Sequence, residues 1–529
     1  MSDPCLRTQP SRPAFRSFAL LLAAGLALTA LANGATPTER PLPPIVFVAR
    51  QPPAGADSGQ VPGLGPHGTF AGRGGRLLER ASDGTVRELV PAGRLYDVAD
   101  PCVSEDGARV AFSAREAPDS RWRIWSVERK GGEARCLTCT SLEELGAGDA
   151  RTADDADPLW WGDTLLFVST RSGRQAWYDG SPRTQLSAWT SDYTQVLTSE
   201  PNGVLDPAAA PGRDRVWFSR WWFNPWRAGP RGLERAAAGD SVNQWQAVSA
   251  RLTRAPDGLM QLEDVRIAAG GALPRRRGMA LQSAPLANGG AFAVAAHNMG
   301  LAPRPGPLAV LRFPPPPAAG VRWSGAAIAD EVGDTYSGGS NLAPPAAVAP
   351  VALPDGRTVL SLDPGGRGEY GLVLVSADGE SHETLVDEPG EWELDAAVVR
   401  EGAPRPAPPA AVKPAPRSAS SPGKTFRYLS QDVFAGEGAP ARQDGAELRV
   451  YRGESADSAA LIRRVRVPRS GRVDLKLPAD TPLFEALVTS GGGVLATPHG
   501  PAQVLGANSG AAGTTSRCSG CHLGHSAAR

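Results

Sequence analysis

The stretch DPCVSEDGARVAFSAR, Asp100 to Arg115, decides how the rest of the chain reads. It joins an Asp-Pro step, an Asp-Gly turn and an apolar run that closes in Ser-Ala-Arg. An Asp-Gly pair beside an apolar run is a hairpin signal, because it supplies the positive φ angles that a tight turn needs. The unit returns as DPLWWGDTLLFVSTR from Asp157 to Arg171 and as DPAAAPGRDRVWFSR from Asp206 to Arg220. A weaker copy, APVALPDGRTVLSL, starts at Ala349, and IVFVAR from Ile45 to Arg50 reads as the strand of an earlier copy whose entry is missing.

A second pair of strands around a turn tends to follow each unit. GRLLERASDGTVRELV from Gly75, IWSVERKGGEARCLT from Ile124 and YGLVLVSADGESHETLV from Tyr370 are of this kind. Four strands per repeat form one sheet that cannot bury both faces alone, so the repeats must stack around an axis as propeller blades. The expected fold is therefore mainly β. A TolB/WD40-like β-propeller of about six blades spans 43–400, and the irregular stretch from Trp222 to Pro285 leaves room for a seventh. The repeated Asp-Pro is read as architecture, with Pro starting the strand and Asp capping the turn, rather than as a metal or catalytic feature. Trp217, Trp221, Trp222 and Trp226 cluster at and after one blade strand, and blade packing is favoured over a binding face for them.

Outward from the propeller, the other segments take their places. Arg7, Arg12 and Arg16 precede the apolar run FALLLAAGLALTAL from Phe18 to Leu31, and Ala30-Leu31-Ala32 is a small-residue cleavage site. Residues 1–32 are read as a removable secretory signal, too short for a span of ~20 residues. Cys5 precedes the apolar run and leaves with it. The expected location is periplasmic or otherwise exported, with no transmembrane segment after cleavage. Residues 401–424 (EGAPRPAPPAAVKPAPRSASSPGK) are Pro/Ala-rich and read as a semi-extended linker. Residues 425–529 hold short β-like runs (TFRYLSQDVFA, AELRVYRG, LIRRVRVP, GRVDLKLP, PLFEALVTS) and read as a small sandwich-like module. Lys+Arg and Asp+Glu both number 55, so no basic excess points to nucleic acid.

The module ends in Cys518-Ser519-Gly520-Cys521-His522, the C-x-x-C-H signature of covalent haem attachment. Two thiols at this spacing reach the two vinyl-derived carbons on one porphyrin edge, and the adjacent imidazole reaches iron. With 6 Cys and 6 His in 529 residues, chance yields roughly one such motif per thousand chains of this composition. A lone disulfide or half a zinc site are the bland alternatives, and a second Cys/His pair at zinc spacing is absent. The expected cofactor is one haem c on Cys518 and Cys521, with His522 as proximal iron ligand. Candidate distal ligands by reach are His499, His297, Met299 and Met260, and an open sixth position is equally compatible. His525 starts on the same side of the ring as His522 and reads as a surface residue or a ligand to another centre. Cys136-Leu137-Thr138-Cys139 has no following His, so it attaches no second haem. A structural disulfide is expected among Cys102, Cys136 and Cys139, with one cysteine left over or reactive. No G-x-S-x-G elbow or H-E-x-x-H helix supports a hydrolase.

The mature chain resembles the α-subunit of hydrazine synthase and its wider family of propeller-plus-cytochrome proteins. LDPAAAPGRDRVWFSRW, ending at Trp221, is similar to the family's blade signature. AVAAHNMGLAPRPGPLAVL is similar to its His-containing strand and places His297 at the matching position. RVPRSGRVDLKLPADTPLFEALVTSGGGVLATP is similar to the segment leading into the haem site, and CSGCH to the haem motif. Where the family usually has a Pro-Gly-Glu-like step before the first haem cysteine, this chain has GAAGTTSR. The sequence runs 7 residues past His522, to Arg529, where the hydrazine-forming enzyme continues into a further haem domain. That enzyme also works with partner subunits.

The resemblance implies fold and haem attachment, and it does not carry hydrazine synthesis with it. The expectation is a periplasmic redox or electron-transfer protein that meets a redox partner protein or a small nitrogen- or oxygen-containing substrate, with further subunits allowed. The rival expectation is a binding or scaffold propeller with a structural or vestigial haem.

Overall fold

In the computed structural model, the described residues lie within 41–400 and 425–518. Stretches between strands, among them 53–73, 270–278, 297–307, 312–331, 335–345 and 496–504, fall outside the description. Residues 1–32, read above as a secretory signal, and 401–424, read as a linker, also lie outside it.

Six sheets of four antiparallel strands are formed by the described residues up to 400, and they succeed one another along the chain. The second blade shows why these residues form strands. Asp97–Val103, Arg109–Arg115, Arg123–Glu128 and Arg135–Cys136 pair in order. In its second strand Val110, Phe112 and Ala114 face the first blade, joining Val46, Val48 and Leu77 in one core cluster. Ala111, one step out of phase, faces Trp160, Leu165 and Phe167 of the third blade. Both faces of the sheet are covered, so the strand reads as a continuous apolar run. Each large side chain buried this way contributes about 1.5–3 kcal/mol.

Three blades modify the pattern. The third (Asp155–Trp161, Thr164–Ser169, Gln185–Trp189, Tyr193–Val196) carries an extra parallel edge strand, Glu143–Leu145. The fourth (Val204–Ala209, Arg215–Asn224, Val242–Arg254, Met260–Ala269) has two overlong central strands, which explain the irregular sequence after Trp222. Between them sits a small hairpin, Trp226–Gly229 with Gly232–Arg235. The first blade explains the entry that IVFVAR lacks. Its innermost strand is Trp392–Val398, which arrives from the far end of the propeller and pairs with Ile45–Arg50. The ring is thus closed by hydrogen bonds between its two ends, and no blade edge is left open there.

Arginines at or just past the ends of second strands bind carboxylates of innermost strands, within a blade for Arg171 and across blades for Arg50. Arg171 grips Asp155 through two bonds of 2.9 and 2.6 Å, with both side chains fully buried. Arg50 binds Asp97 of the next blade at 3.2 Å and the Val98 carbonyl at 2.5 Å. Cys136 and Cys139 form the structural disulfide, and Cys102 is the cysteine left over.

The C-terminal module is a β-sandwich. Thr425–Ser430 lies between Val473–Pro478 and Thr515–Cys518 in one sheet. The other sheet orders Ser458–Arg466, Glu447–Ser455, Leu483–Val488 and Leu505–Asn508. Phe426, Tyr428 and Leu477 from the first meet Leu448, Val450 and Leu487 from the second. No helix among the described residues is long and apolar enough to cross a membrane.

The sandwich docks on the third and fourth blades through an aromatic seam. Trp177, Trp222, Trp226 and Leu233 pack with Tyr451, Phe484 and Ala486. The Phe484 ring lies 5.2 Å from Trp177 and 6.4 Å from Trp226. Gly453 allows the close approach, because a Cβ would come within 3.0 Å of Trp177 and 3.1 Å of Phe484. Asp480 adds polar contacts to Ser199 at 3.0 Å and Arg174 at 3.2 Å. The tryptophan cluster therefore splits. Trp217 and Trp221 are buried in the propeller, as expected, whereas Trp222 and Trp226 serve the seam.

Phe484→Ala removes the central ring of this seam, at a cost of about 3–5 kcal/mol. Urea denaturation should then separate into a sandwich step and a propeller step. A single transition at an unchanged midpoint would contradict the seam.

Candidate functional site: the axial ring and the haem-motif strand

Each blade's innermost strand carries one residue at positive φ near its middle. These are Asp100, Asp157, Asp206, Gln282, Ala349 and Asp395, all between 49° and 54°. Strand register slips at the same point in every blade, so each marks a bulge. This corrects the reading of Asp-Pro as a strand entry with Asp capping a turn: the Asp sits inside the strand. A left-handed residue costs roughly 1–2 kcal/mol, and Asp tolerates it better than most. The bulge turns the side chain toward the propeller axis, where it reaches the next blade.

The ring alternates two kinds of link. The Asp100 N–H donates to Asp395 at 3.4 Å, the Asp206 N–H to Asp157 at 3.0 Å, and the Ala349 N–H to the Gln282 amide oxygen at 3.0 Å. The intervening steps use a serine. Ser113 donates to Asp100 at 3.0 Å and accepts the Asp157 N–H at 3.1 Å. Ser219 donates to Asp206 at 2.8 Å and accepts the Gln282 N–H at 2.9 Å. The third serine of the series is Ser361, opposite Val348 as Ser113 is opposite Ala99. Its ring neighbour Ala349 has no polar side chain, and the fully buried Ser361 hydroxyl has no hydrogen-bond partner.

Four carboxyl groups crowded on one axis resist ionisation. Burial pushes the Asp206 carboxyl up to about 8, with the Asp157 charge adding to it and the Ser219 hydroxyl opposing it. Burial also lifts Asp395, to about 6, against the attraction of Arg50. Asp100 is held well above the ordinary carboxylate range by burial and by the charges of Asp157 and Asp395, and Asp157 is raised by burial. Asp100 and Asp157 share a hydrogen bond that favours the proton on Asp100.

The ring floors a cavity of about 290 Å³. Its walls are Pro101, Val103, Leu159, Pro207, Val351 and their neighbours, with Glu105 and Arg400 also on the lining. These residues follow the bulges, so the cavity lies toward the face where the innermost strands end. The sandwich contacts Arg174, Trp177, Ser199 and Trp226, on the face where those strands begin. Among the described residues no group of three His, Cys, Asp or Glu could hold a metal ion.

Of the haem-motif residues, Cys518 ends the strand Thr515–Cys518, which runs parallel to Thr425–Ser430 with Ser430 opposite Cys518. Ser430 is fully buried and its hydroxyl has no hydrogen-bond partner. Cys521 and His522 lie outside the described residues, as do His525, His499, His297 and Met299. The donor set of two thiols and an adjacent imidazole fits a covalently bound haem. Met260 is removed from the distal candidates. It is buried in the core between the third and fourth blades, and its backbone bonds both ends of the Gln195 amide.

The fold is shared with hydrazine synthase. The structure of the Kuenenia stuttgartiensis enzyme superposes with a TM-score of 0.64 at 14% identity, over 92% of this chain and 70% of that one. That share exceeds the propeller alone, so the fold likeness runs on into the sandwich. TolB from Acinetobacter baumannii matches 68% of this chain at 13% identity, covering 66% of its own length, with a TM-score of 0.38. The propeller domain of the trilobed protease from Pyrococcus furiosus matches 60%, and 78% of its own length, at 11% identity and a TM-score of 0.32. No protein-family model and no curated protein matches the chain.

Asp206→Asn tests the ring. The folded state binds the Asp206 proton more tightly than the unfolded chain does, so native Asp206 lowers stability as pH rises from about 4 toward about 8. The variant keeps an acceptor for Ser219 and carries no charge. Its melting temperature relative to wild type should rise between pH 4.5 and pH 8.5, by roughly 2 °C or more. A difference that stays constant across this range would contradict the raised carboxyl.

Proposed function

We propose that this chain is an exported c-type cytochrome of the hydrazine synthase α-subunit-like kind. It would carry one haem c and act in periplasmic electron transfer or redox chemistry. The observation that carries the reading is C-S-G-C-H at 518–522, at the end of a chain whose fold is like that of hydrazine synthase over 92% of its length. The signal-like segment 1–32 supports it independently, because haem attachment to this motif takes place outside the cytoplasm.

Cys518 and Cys521 would anchor the group as thioethers, and His522 would bind its iron from one side. When bound, the group supplies one-electron transfer, together with binding of a small nitrogen- or oxygen-containing molecule if its sixth position is open. His297, His499 and Met299 are the candidates to close that position. The chain's own contribution is placement. The parallel pairing with Thr425–Ser430 fixes the strand that leads into the motif. The aromatic seam fixes the sandwich on the propeller, whose outer surfaces remain for a redox partner protein or further subunits.

The protein produced with its signal and a cytochrome c maturation system should show the sharp reduced bands of a c-type haem. Cys521→Ser should lose normal two-thioether attachment and leave an exported, folded propeller. Haem that survives acid-acetone extraction in full in this variant would overturn the assignment. Carbon monoxide divides the two roles: a shifted reduced spectrum assigns small-molecule chemistry, and an unshifted one assigns electron transfer.

A further inference from the structure

The axial cavity lies toward the face of the propeller opposite the sandwich contacts, and its described lining holds no residue of the 518–522 motif. The axial ring's hydrogen bonds run from blade to blade through side chains until they reach Ala349. There the series is one polar side chain short. On one side stands Gln282, whose amide oxygen takes the Ala349 N–H. On the other stands Asp395, whose carboxylate takes the Asp100 N–H. Behind the gap is the unpartnered hydroxyl of Ser361, and beside Gln282 on the cavity wall is Ser283, 3% exposed and also without a partner for its hydroxyl. Two buried hydroxyls without partners in one sector are costly, at about 1–3 kcal/mol each. The gap presents acceptors, has the Asp395 carboxyl at its edge, and opens into a cavity with mostly apolar walls.

We propose that the axial cavity binds a small organic cation, a primary ammonium on an apolar body, with its N–H groups seated over Ala349 between Asp395, Gln282 and Ser283. An ammonium has three donors and no acceptor, which matches a site built of acceptors. The proline, valine and alanine walls take the body, and the Asp395 carboxylate beside the gap faces the cationic head. Ala349 is the residue that makes room. At the corresponding bulge Asp100, Asp157, Asp206, Gln282 and Asp395 each fill the position with a polar side chain.

The probe is phenethylammonium at neutral pH, titrated into the full-length protein by calorimetry, with neutral 2-phenylethanol as its isostere. Phenethylammonium should bind saturably at one site, and the isostere about tenfold more weakly or not at all. Ala349→Asn fills the gap with a side chain that tolerates the left-handed backbone and offers Ser361 a partner. It should melt no lower than wild type and weaken phenethylammonium by about tenfold or more. No heat from phenethylammonium at millimolar concentration, equal binding of the isostere, or unchanged affinity in a folded Ala349→Asn protein would each overturn the site. The comparison of ammonium with isostere uses the wild-type protein and does not depend on the variant folding. A protein lacking haem but binding the ammonium would separate this site from the cytochrome reading.

Discussion

A backbone N–H of one blade bonded to a polar side chain of the blade before it is the contact on which this propeller depends. Sheets stacked by apolar packing alone could slide against one another, because the hydrophobic effect has no direction. The bulge at each innermost strand removes that freedom. It accepts a left-handed residue, with its backbone cost, in return for a side chain aimed along the ring. Asp395 to Asp100 and Asp157 to Asp206 are the direct forms, and Ser113 and Ser219 are the relayed ones. The same geometry concentrates carboxyl groups on the axis and raises their affinity for protons. Order between blades and acid–base character at the axis thus share one cause.

Closure extends this argument to the ends of the propeller. Trp392–Val398 completes the blade begun by Ile45–Arg50 and brings Asp395 into the ring. The first and last parts of the propeller are therefore held together both at the sheet and at the axis. The sandwich is fixed differently, by the tryptophans and phenylalanine of the seam and by Asp480. A propeller of this kind offers two distinct faces. One receives the module that ends in the haem motif, and the other holds the axial cavity.

The propeller was legible because its repeats carry local signals: Asp-Gly turns, apolar runs covered on both faces, and an Asp-Pro step at 100, 157 and 206. The fifth blade (Met279–Pro285, Ala291–Ala296, Leu308–Leu311, Val332–Asp334) was not legible, since Gln282-Ser283 replaces Asp-Pro and its bulge has no sequence marker. The first blade's entry was hidden for a different reason: it comes from residues some 350 positions away, beyond the reach of local pattern. The role of the Asp residues was misplaced, because a strand entry and a mid-strand bulge share the same Asp-Pro letters and differ only in φ and register. Trp222 and Trp226 could not be told from blade core, since seam and core demand the same apolar aromatic surface. Met260 looked available as an iron ligand until Gln195 and its core neighbours were seen around it. The proposed haem motif is the reverse case: the reading rests on five adjacent residues, 518–522, and on no distant contact.

The central claim is that this chain, matured outside the cytoplasm, carries one haem bound through two cysteines. Intact mass spectrometry of the purified protein under denaturing conditions tests it most directly. The account predicts a mature chain without its first 32 residues and heavier than its apo mass by a single haem. A chain at its apo mass, from cells that mature other c-type cytochromes normally, would contradict it.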